Sequence, residues 1–162
     1  MEATTRAAVH VGPGGGPAVW LVGDTYTLKV SGAQTGGAFA LLEARVPPGG
    51  GPPPHVHLRE DETFVVLEGE LTFSAGGATG PAGPGAVLYV PKGTVHAFAN
   101  VGAAPARMLF LYTPAGMDGM FAEIGTPARA GEAAPPPGPE DVAKLLAVAA
   151  TYGFEILPPA GG

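Results

Sequence analysis

The sequence predicts an all-β fold, a single barrel followed by a short C-terminal α-helix. Its apolar residues fall in short runs, many of which alternate with polar residues as in half-buried strands. The 27 glycines and 19 prolines stand mainly between these runs, where they indicate frequent turns. A chain of 162 residues fits one domain with a substantial core.

About eight strands are expected along the chain. The clearest is residues 38–46, in which Ala40, Leu42, Ala44 and Val46 share one face. Residues 63–74 predict a hairpin, because Gly69 supplies a turn in its middle, and residues 76–85 predict a Gly/Pro-rich loop. The remaining strands are expected at residues 18–22, 26–30, 86–90, 94–100 and 107–112, the last of them buried on both faces.

The helical signals lie near the C-terminus. A short helix is expected at residues 117–124 and a longer one at residues 140–152, because Val142, Leu145, Leu146 and Ala149 recur at helical spacing. Gly153 then supplies the stop. The predicted organisation has three parts: a flexible N-terminal arm (residues 1–17), the β-barrel (18–115) and a helical tail packed on the outside of the barrel (116–162).

Composition excludes several classes of function. The net charge is −6 and basic residues form no cluster, which argues against nucleic acid and anionic membranes as partners. The chain has no cysteine, so it offers neither disulfides nor thiolate metal ligands. Its first residues lack the apolar segment of a signal peptide, and no apolar run reaches the length of a membrane span, so the expected location is cytoplasmic.

Three of the four histidines stand in a pattern typical of a metal site. His55 and His57 are two residues apart, so on an extended chain both side chains leave the same face. Glu62 follows at an odd offset, and a bend or bulge between residues 58 and 61 would return it to the histidine face. His96 lies on a later strand, whereas His10 falls in the N-terminal arm and has no such setting.

A resemblance to a known family follows from these residues. Residues 49–69 read G-x5-H-x-H-x4-E-x6-G, and residues 85–100 read G-x5-P-x-G-x2-H-x3-N. The two patterns resemble, in order and in every signature position, the two motifs of the cupin superfamily. The resemblance implies a jelly-roll β-barrel and a homodimer. It also implies one divalent metal ion held by His55, His57, Glu62 and His96.

The flanking sequence, PPGGGPPPHVHLREDETFVVLEGEL, resembles small one-domain bacterial cupins described as quercetin 2,3-dioxygenase-like. The function this implies is a metal-dependent dioxygenase acting on a flavonol-like or other enolisable, largely apolar small molecule, with dioxygen as co-substrate. Nitrogen and oxygen ligands suit Fe, Mn or Ni first, and also Zn, Co or Cu. Glu62 is expected to be both ligand and general base.

The expected substrate wall is apolar. Phe64 and Val66 are an even number of residues from Glu62, so on one strand they share its face. Phe98 shares the face of His96 on another strand for the same reason. Two alternatives stay open: a non-enzymatic, metal-containing cupin that binds a small molecule, and a metal-dependent isomerase or lyase. A site for anionic sugars needs Arg or Lys near the metal, and few such residues lie in the barrel region.

Overall fold

The computed structural model describes residues 6–158 of the chain. Within them, strands form two antiparallel sheets that face each other. The first sheet has, in spatial order, β11 (Thr126–Pro127), β1 (Ala18–Leu21), β2 (Asp24–Val30), β3 (Ala40–Val46), β10 (Ala106–Thr113), β5 (Asp61–Glu68) and β8 (Val87–Val90). The second has β12 (Phe154–Ile156), β4 (His55–His57), β9 (His96–Ala99), β6 (Leu71–Ala75) and β7 (Ala78–Ala82).

In residues 6–158, three helices accompany the sheets: α1 (Gly32–Thr35), α2 (Met117–Ile124) and α3 (Pro139–Tyr152). The expected all-β fold with a C-terminal helix is therefore confirmed, and the two facing sheets form a jelly-roll barrel. None of these helices in residues 6–158 is long and apolar enough to cross a membrane.

The core lies between the sheets and follows the period of the strands. Ala40, Leu42, Ala44 and Val46 of β3 are all buried, as the alternation predicts. Strand β10 also alternates, with Met108, Phe110 and Tyr112 inward and the residues between them only half-buried. The expectation that this strand is buried on both faces was wrong, because no other layer of the described residues covers the outer face.

Two expectations about strand pairing were also wrong. Strands β5 and β6 do not form a hairpin, because the chain crosses at Gly69 from one sheet to the other. Gly69 has a φ of 76°, and a Cβ there would lie 2.9 Å from the backbone of Ala106. The turn and the close approach both require glycine. Residues 76–85, expected to be a loop, contain β7, which pairs with β6 along its whole length.

The C-terminal segment is more closely integrated than expected. Helix α3 ends at Gly153, as predicted, but its buried residues are Leu145 and Val148, whereas Leu146 is 57% exposed. Beyond the helix, β12 adds a strand to the second sheet by pairing with β4. Strand β12 therefore forms part of the barrel wall, next to the helix that was expected to pack on the barrel.

The N-terminal residues that are described make specific contacts. The amide of Leu28 donates to the carbonyl of Pro17 at 2.9 Å, and Lys29 Nζ donates to the carbonyl of Gly15 at 2.8 Å. These bonds tie residues 15–17 to β2. The division into arm, barrel and tail stays a prediction, and residues 1–5 and 159–162 of the arm and the tail lie outside the described part.

Candidate metal centre

The three histidines and the glutamate come from both sheets. His55 and His57 lie on β4, and His55 is directly opposite His96 on the neighbouring β9. The strand breaks at residues 58–60, and the chain then enters the other sheet as β5, which carries Glu62. This break returns Glu62 to the histidines, as predicted from the odd spacing. The barrel interior thus collects all four side chains.

The four side chains converge on one point. One ligand atom from each of His55, His57, Glu62 and His96 lies within 4.8 Å of the others. Glu62 Oε2 is 2.8 Å from His96 Nε2 and 3.1 Å from His57 Nε2. His57, Glu62 and His96 are buried, and His55 is half-buried. The cluster combines nitrogen and oxygen donors at distances that one cation can bridge.

Backbone carbonyls fix the orientation of two of the rings. His55 Nδ1 is 2.9 Å from the carbonyl of Pro53, and His96 Nδ1 is 3.0 Å from that of Thr94. A carbonyl oxygen only accepts hydrogen bonds, so both Nδ1 atoms carry a proton. In a neutral ring this leaves a lone pair on Nε2, which at His96 faces the carboxylate of Glu62. Two such lone pairs repel unless a proton or a cation lies between them. The donor set therefore fits a divalent metal.

The surroundings of Glu62 and His55 favour the forms of these two residues that bind a cation. Burial opposes ionisation of Glu62, but its contacts with His57 and His96 outweigh burial and hold the pKa of the carboxyl below its usual range. Burial, assisted by the neighbouring His96, lowers the pKa of His55 to about 4. Near neutral pH Glu62 is therefore an anion and His55 a neutral imidazole, which are the forms that coordinate metals.

A largely apolar cavity adjoins this cluster. Its empty volume is about 610 Å³, including the part open to solvent. Besides His55, His57 and Glu62, it is lined by Leu21, Val22, Tyr26, Pro52, Pro53, Phe64, Phe98, Met108, Phe110, Tyr112, Met117, Met120, Phe121, Leu145, Phe154 and Ile156. No Lys or Arg of the described chain is among them. The cavity is thus suited to an apolar molecule that presents a few polar atoms to the metal cluster.

The structure separates the three expected substrate contacts. Phe64 and Phe98 line the cavity, with their rings 5.9 Å apart and edge to face. Val66 is buried but does not line the cavity. The alternation along the strand correctly predicted that Val66 faces the interior. It lies two residues beyond Phe64 on β5, however, and so beyond the end of the cavity. The assignment of Val66 to the substrate wall is therefore corrected.

Several residues near the cluster were not predicted. Tyr112 pairs with Glu62 across the sheet, and its ring centroid is 5.3 Å from that of His57. Burial, followed by the charge of Glu62, raises the pKa of Tyr112 well above its usual range, so its hydroxyl stays protonated. Phe154 pairs with His57, and the alternating sequence Phe-Glu-Ile after Gly153 was a strand signal that could have revealed it.

Glu60 is a further buried residue near the cluster that was not predicted. It lies in the break between β4 and β5, and it is only 4% exposed. Its Oε2 and the Nδ1 of His57 are both buried without a hydrogen-bond partner among the described residues. Burial raises the pKa of Glu60 above its usual range. The preceding side chain, that of Arg59, donates a hydrogen bond to the carbonyl of Thr151 on α3.

Part of the chain is similar in sequence to known proteins. Residues 42–112 match the family described as Cupin domain. A curated relative, quercetin 2,3-dioxygenase from Bacillus subtilis, is 29% identical over 108 residues, which cover 66% of this chain and 32% of that protein. The chain therefore corresponds to about a third of the length of that curated relative.

Solved structures agree on the fold. A sugar phosphate isomerase of the cupin superfamily from Silicibacter pomeroyi superposes with a TM-score of 0.51 and 28% identity, covering 58% of this chain and 61% of that one. A structure from Thermotoga maritima, described as a predicted oxalate decarboxylase, gives a TM-score of 0.58 and 23% identity, covering 67% and 99%. The match over residues 42–112, the two motifs and the two-sheet barrel all agree with the cupin family.

Proposed function

We propose that His55, His57, Glu62 and His96 bind one divalent metal ion. We further propose that the protein is a dioxygenase acting on a flat, largely apolar, enolisable molecule such as a flavonol. The observation that carries this proposal is the apolar cavity lined by His55, His57 and Glu62, three members of the four-residue cluster. Three imidazoles and one carboxylate would leave coordination positions open, as catalytic metal sites require.

The roles of the chain's own residues follow from their positions. Phe64 and Phe98 pack against the rings of the substrate and exclude water from it. Glu62 accepts the proton of the substrate enol, for which its position on the cavity suits it. When bound, a divalent metal would supply the Lewis acidity that favours loss of this proton and the redox chemistry that dioxygen requires.

The hydroxyl of Tyr112 has a distinct role in this proposal. It lines the cavity beside Glu62, and it stays protonated because burial and the carboxylate raise its pKa. It is therefore suited to donate a hydrogen bond to an oxygen of the bound substrate. The similarity to a quercetin 2,3-dioxygenase supports this substrate class. For the metal, Fe, Mn and Ni remain preferred, with Zn, Co and Cu compatible with the same ligands.

The isomerase alternative has less support. One similar structure is a sugar phosphate isomerase, and sugar phosphates are anions. Recognition of a phosphate generally uses Arg or Lys side chains or a helix N-terminus. The described residues that line the cavity include no Arg and no Lys, and most of them are apolar. A non-enzymatic binding module differs from the dioxygenase only in turnover, so oxygen uptake decides between them.

The test is oxygen consumption by the metal-loaded protein with 3-hydroxyflavone and other enols. We expect uptake that depends on both substrate and metal, and that is lost in His96→Ala. The matched control is His10→Ala, which removes the exposed histidine outside the cluster and should leave uptake unchanged. Metal-loaded protein that binds the enol without consuming oxygen would refute the dioxygenase and favour the binding module.

The expected cytoplasmic homodimer is carried forward as a proposal. The outer face of the first sheet supports the dimer, because Val87 and Tyr89 of the edge strand β8 are 65% and 58% exposed. Leu109 and Leu111 of β10 extend this apolar surface across the sheet. Light scattering at micromolar concentration should give twice the mass of the chain. A monomeric mass would contradict the dimer.

A further inference from the structure

The C-terminal segment, residues 139–157, lies outside the part of the chain that matches the cupin family. It is nevertheless joined to the strand that carries two of the histidines. Phe154 and Ile156 of β12 are opposite His57 and His55 of β4. The amide of Leu58 donates to the carbonyl of Gly153 at 2.8 Å, so the junction continues beyond the ladder. The segment is therefore held in register with the metal cluster.

Three side chains of this segment enter the cavity. Leu145 of α3 and Phe154 and Ile156 of β12 all line it. Leu145 is 8% exposed and Phe154 5% exposed, and the Phe154 ring centroid lies 6.5 Å from that of His57. Ile156 is half-buried, as are Pro52 and Pro53 on the loop before β4, so these three residues lie at the mouth of the cavity.

This wall differs from the others in how it is attached. The other walls are strands inside a sheet, helix α2 and the loop before β4. Phe154 and Ile156 lie on β12, which is the edge strand of the second sheet. Helix α3 instead buries only Leu145 and Val148 and is preceded by residues 128–138, which form neither helix nor strand. Leu145 can therefore change size without disturbing a strand that holds a metal ligand.

We propose that Leu145, Phe154 and Ile156 set the size of the molecule that the cavity admits, which makes the C-terminal segment the specificity element of this site. The proposal rests on the proposed function for its substrate class, flat enolisable molecules. The two neighbours of Phe154 and Leu145 in sequence, Glu155 and Leu146, point to solvent. They provide matched controls on the same strand and helix.

The experiment measures binding without turnover. The dissociation constants of 3-hydroxyflavone and of its longer 4′-phenyl analogue are determined by titration under anaerobic conditions for the wild-type protein and for Phe154→Ala, Leu145→Ala, Glu155→Ala and Leu146→Ala. Phe154→Leu is added as a conservative variant in case the alanine variant does not fold, and thermal melting verifies each protein. Oxygen uptake is then measured separately on the same samples.

In Phe154→Ala and Leu145→Ala we expect the preference for the longer probe to rise roughly tenfold, the scale of discrimination by one apolar contact. Phe154→Leu should shift the preference in the same direction by less. The controls should stay within about twofold, as is usual for exposed positions. A shift in binding preference in a protein that consumes no oxygen would support the specificity element while refuting the dioxygenase.

Two outcomes would overturn the proposal. In the first, Leu145→Ala and a folded Phe154 variant (Phe154→Ala or Phe154→Leu) both show the same preference between the probes as the wild type. The other is failure of the wild-type protein and all variants to bind either probe, because the cavity would then not admit flat apolar molecules at all.

Discussion

The buried carboxyl of Asp24 should make the stability of the protein fall as pH rises. Asp24 is fully buried at the start of β2. Its Oδ2 accepts a hydrogen bond from the Tyr26 hydroxyl at 3.2 Å, while Oδ1 has no partner among the described residues. Burial raises the pKa of Asp24 from 3.8 to about 7, although the bond from Tyr26 partly opposes the shift.

The sign follows from the two states of the chain. Between pH 3.8 and about pH 7 the unfolded chain has lost the proton of Asp24 while the folded protein retains it. Each pH unit in this window therefore lowers the free energy of unfolding by up to about 1.4 kcal/mol. Above about pH 7 both states are ionised, and the accumulated loss levels off at roughly 4 kcal/mol.

The perturbation is Asp24→Asn, which keeps an oxygen to accept the Tyr26 hydroxyl but cannot ionise. The assay is urea unfolding of the metal-free protein from about pH 4 to about pH 8. Titration of the four clustered side chains cancels in the difference between variant and wild type. We expect the variant's advantage in unfolding free energy to grow across the window by up to roughly 4 kcal/mol. Glu70→Gln, on the exposed turn before β6, is the control and should show no such growth.

A difference between Asp24→Asn and the wild type that stays constant from about pH 4 to about pH 8 would refute this reasoning. It would mean that Asp24 ionises as readily in the folded protein as in the unfolded chain. A water molecule or a rearranged main chain at Oδ1 would then stabilise the carboxylate despite its burial.

Three further predictions concern the site and the core. Glu62→Gln should lower turnover by roughly a hundredfold, the contribution of a general base, while the metal content stays close to that of the wild type; equal activity would remove the base role. Asn100→Ala should lower the free energy of unfolding in urea by about 3 kcal/mol, because the side chain makes three hydrogen bonds of 2.8–2.9 Å to the backbone. The control Val101→Ala, at an exposed position, should lower it little. Phe64→Ala should cost about 4 kcal/mol, because Phe64 is 1% exposed and packs against other rings; a loss near zero would mean that the core refills the space.

The sequence was most informative where residue spacing along the chain predicts the buried face of a strand or the side chains of the metal cluster. The inward face of β3 could be predicted because a strand has a period of two. The four clustered side chains could be predicted because two are on one strand and the motifs specify the other two. Even the break before Glu62 followed from its odd offset to His57.

Pairing between distant segments was harder to predict. The crossing at Gly69 depends on how closely Ala106 approaches, which is a contact with a residue far along the chain. Strand β7, ATGPA, contains Gly and Pro, which are depleted in strands, and forms because β6 offers it a partner.

The buried face of α3 shows a different difficulty. The set Val142, Leu145, Leu146 and Ala149 has helical spacing, but so does the set Leu145, Val148, Ala149 and Tyr152. The second set packs against the core, because Leu145 and Val148 are buried and the other two are half-buried against it. Periodicity alone could not choose between them, and the placement of the C-terminal segment over the cavity decided the outcome.

The most direct test of the account is the metal content of the protein, measured by elemental analysis after purification without chelator or histidine tag. The account predicts about one divalent transition metal per chain in the wild type and in His10→Ala, the stoichiometry of a single four-ligand site, and a marked loss in His96→Ala. A wild-type protein that retains no metal, even after reconstitution with Fe, Mn, Ni, Zn, Co or Cu, would contradict the metal centre while leaving the barrel intact.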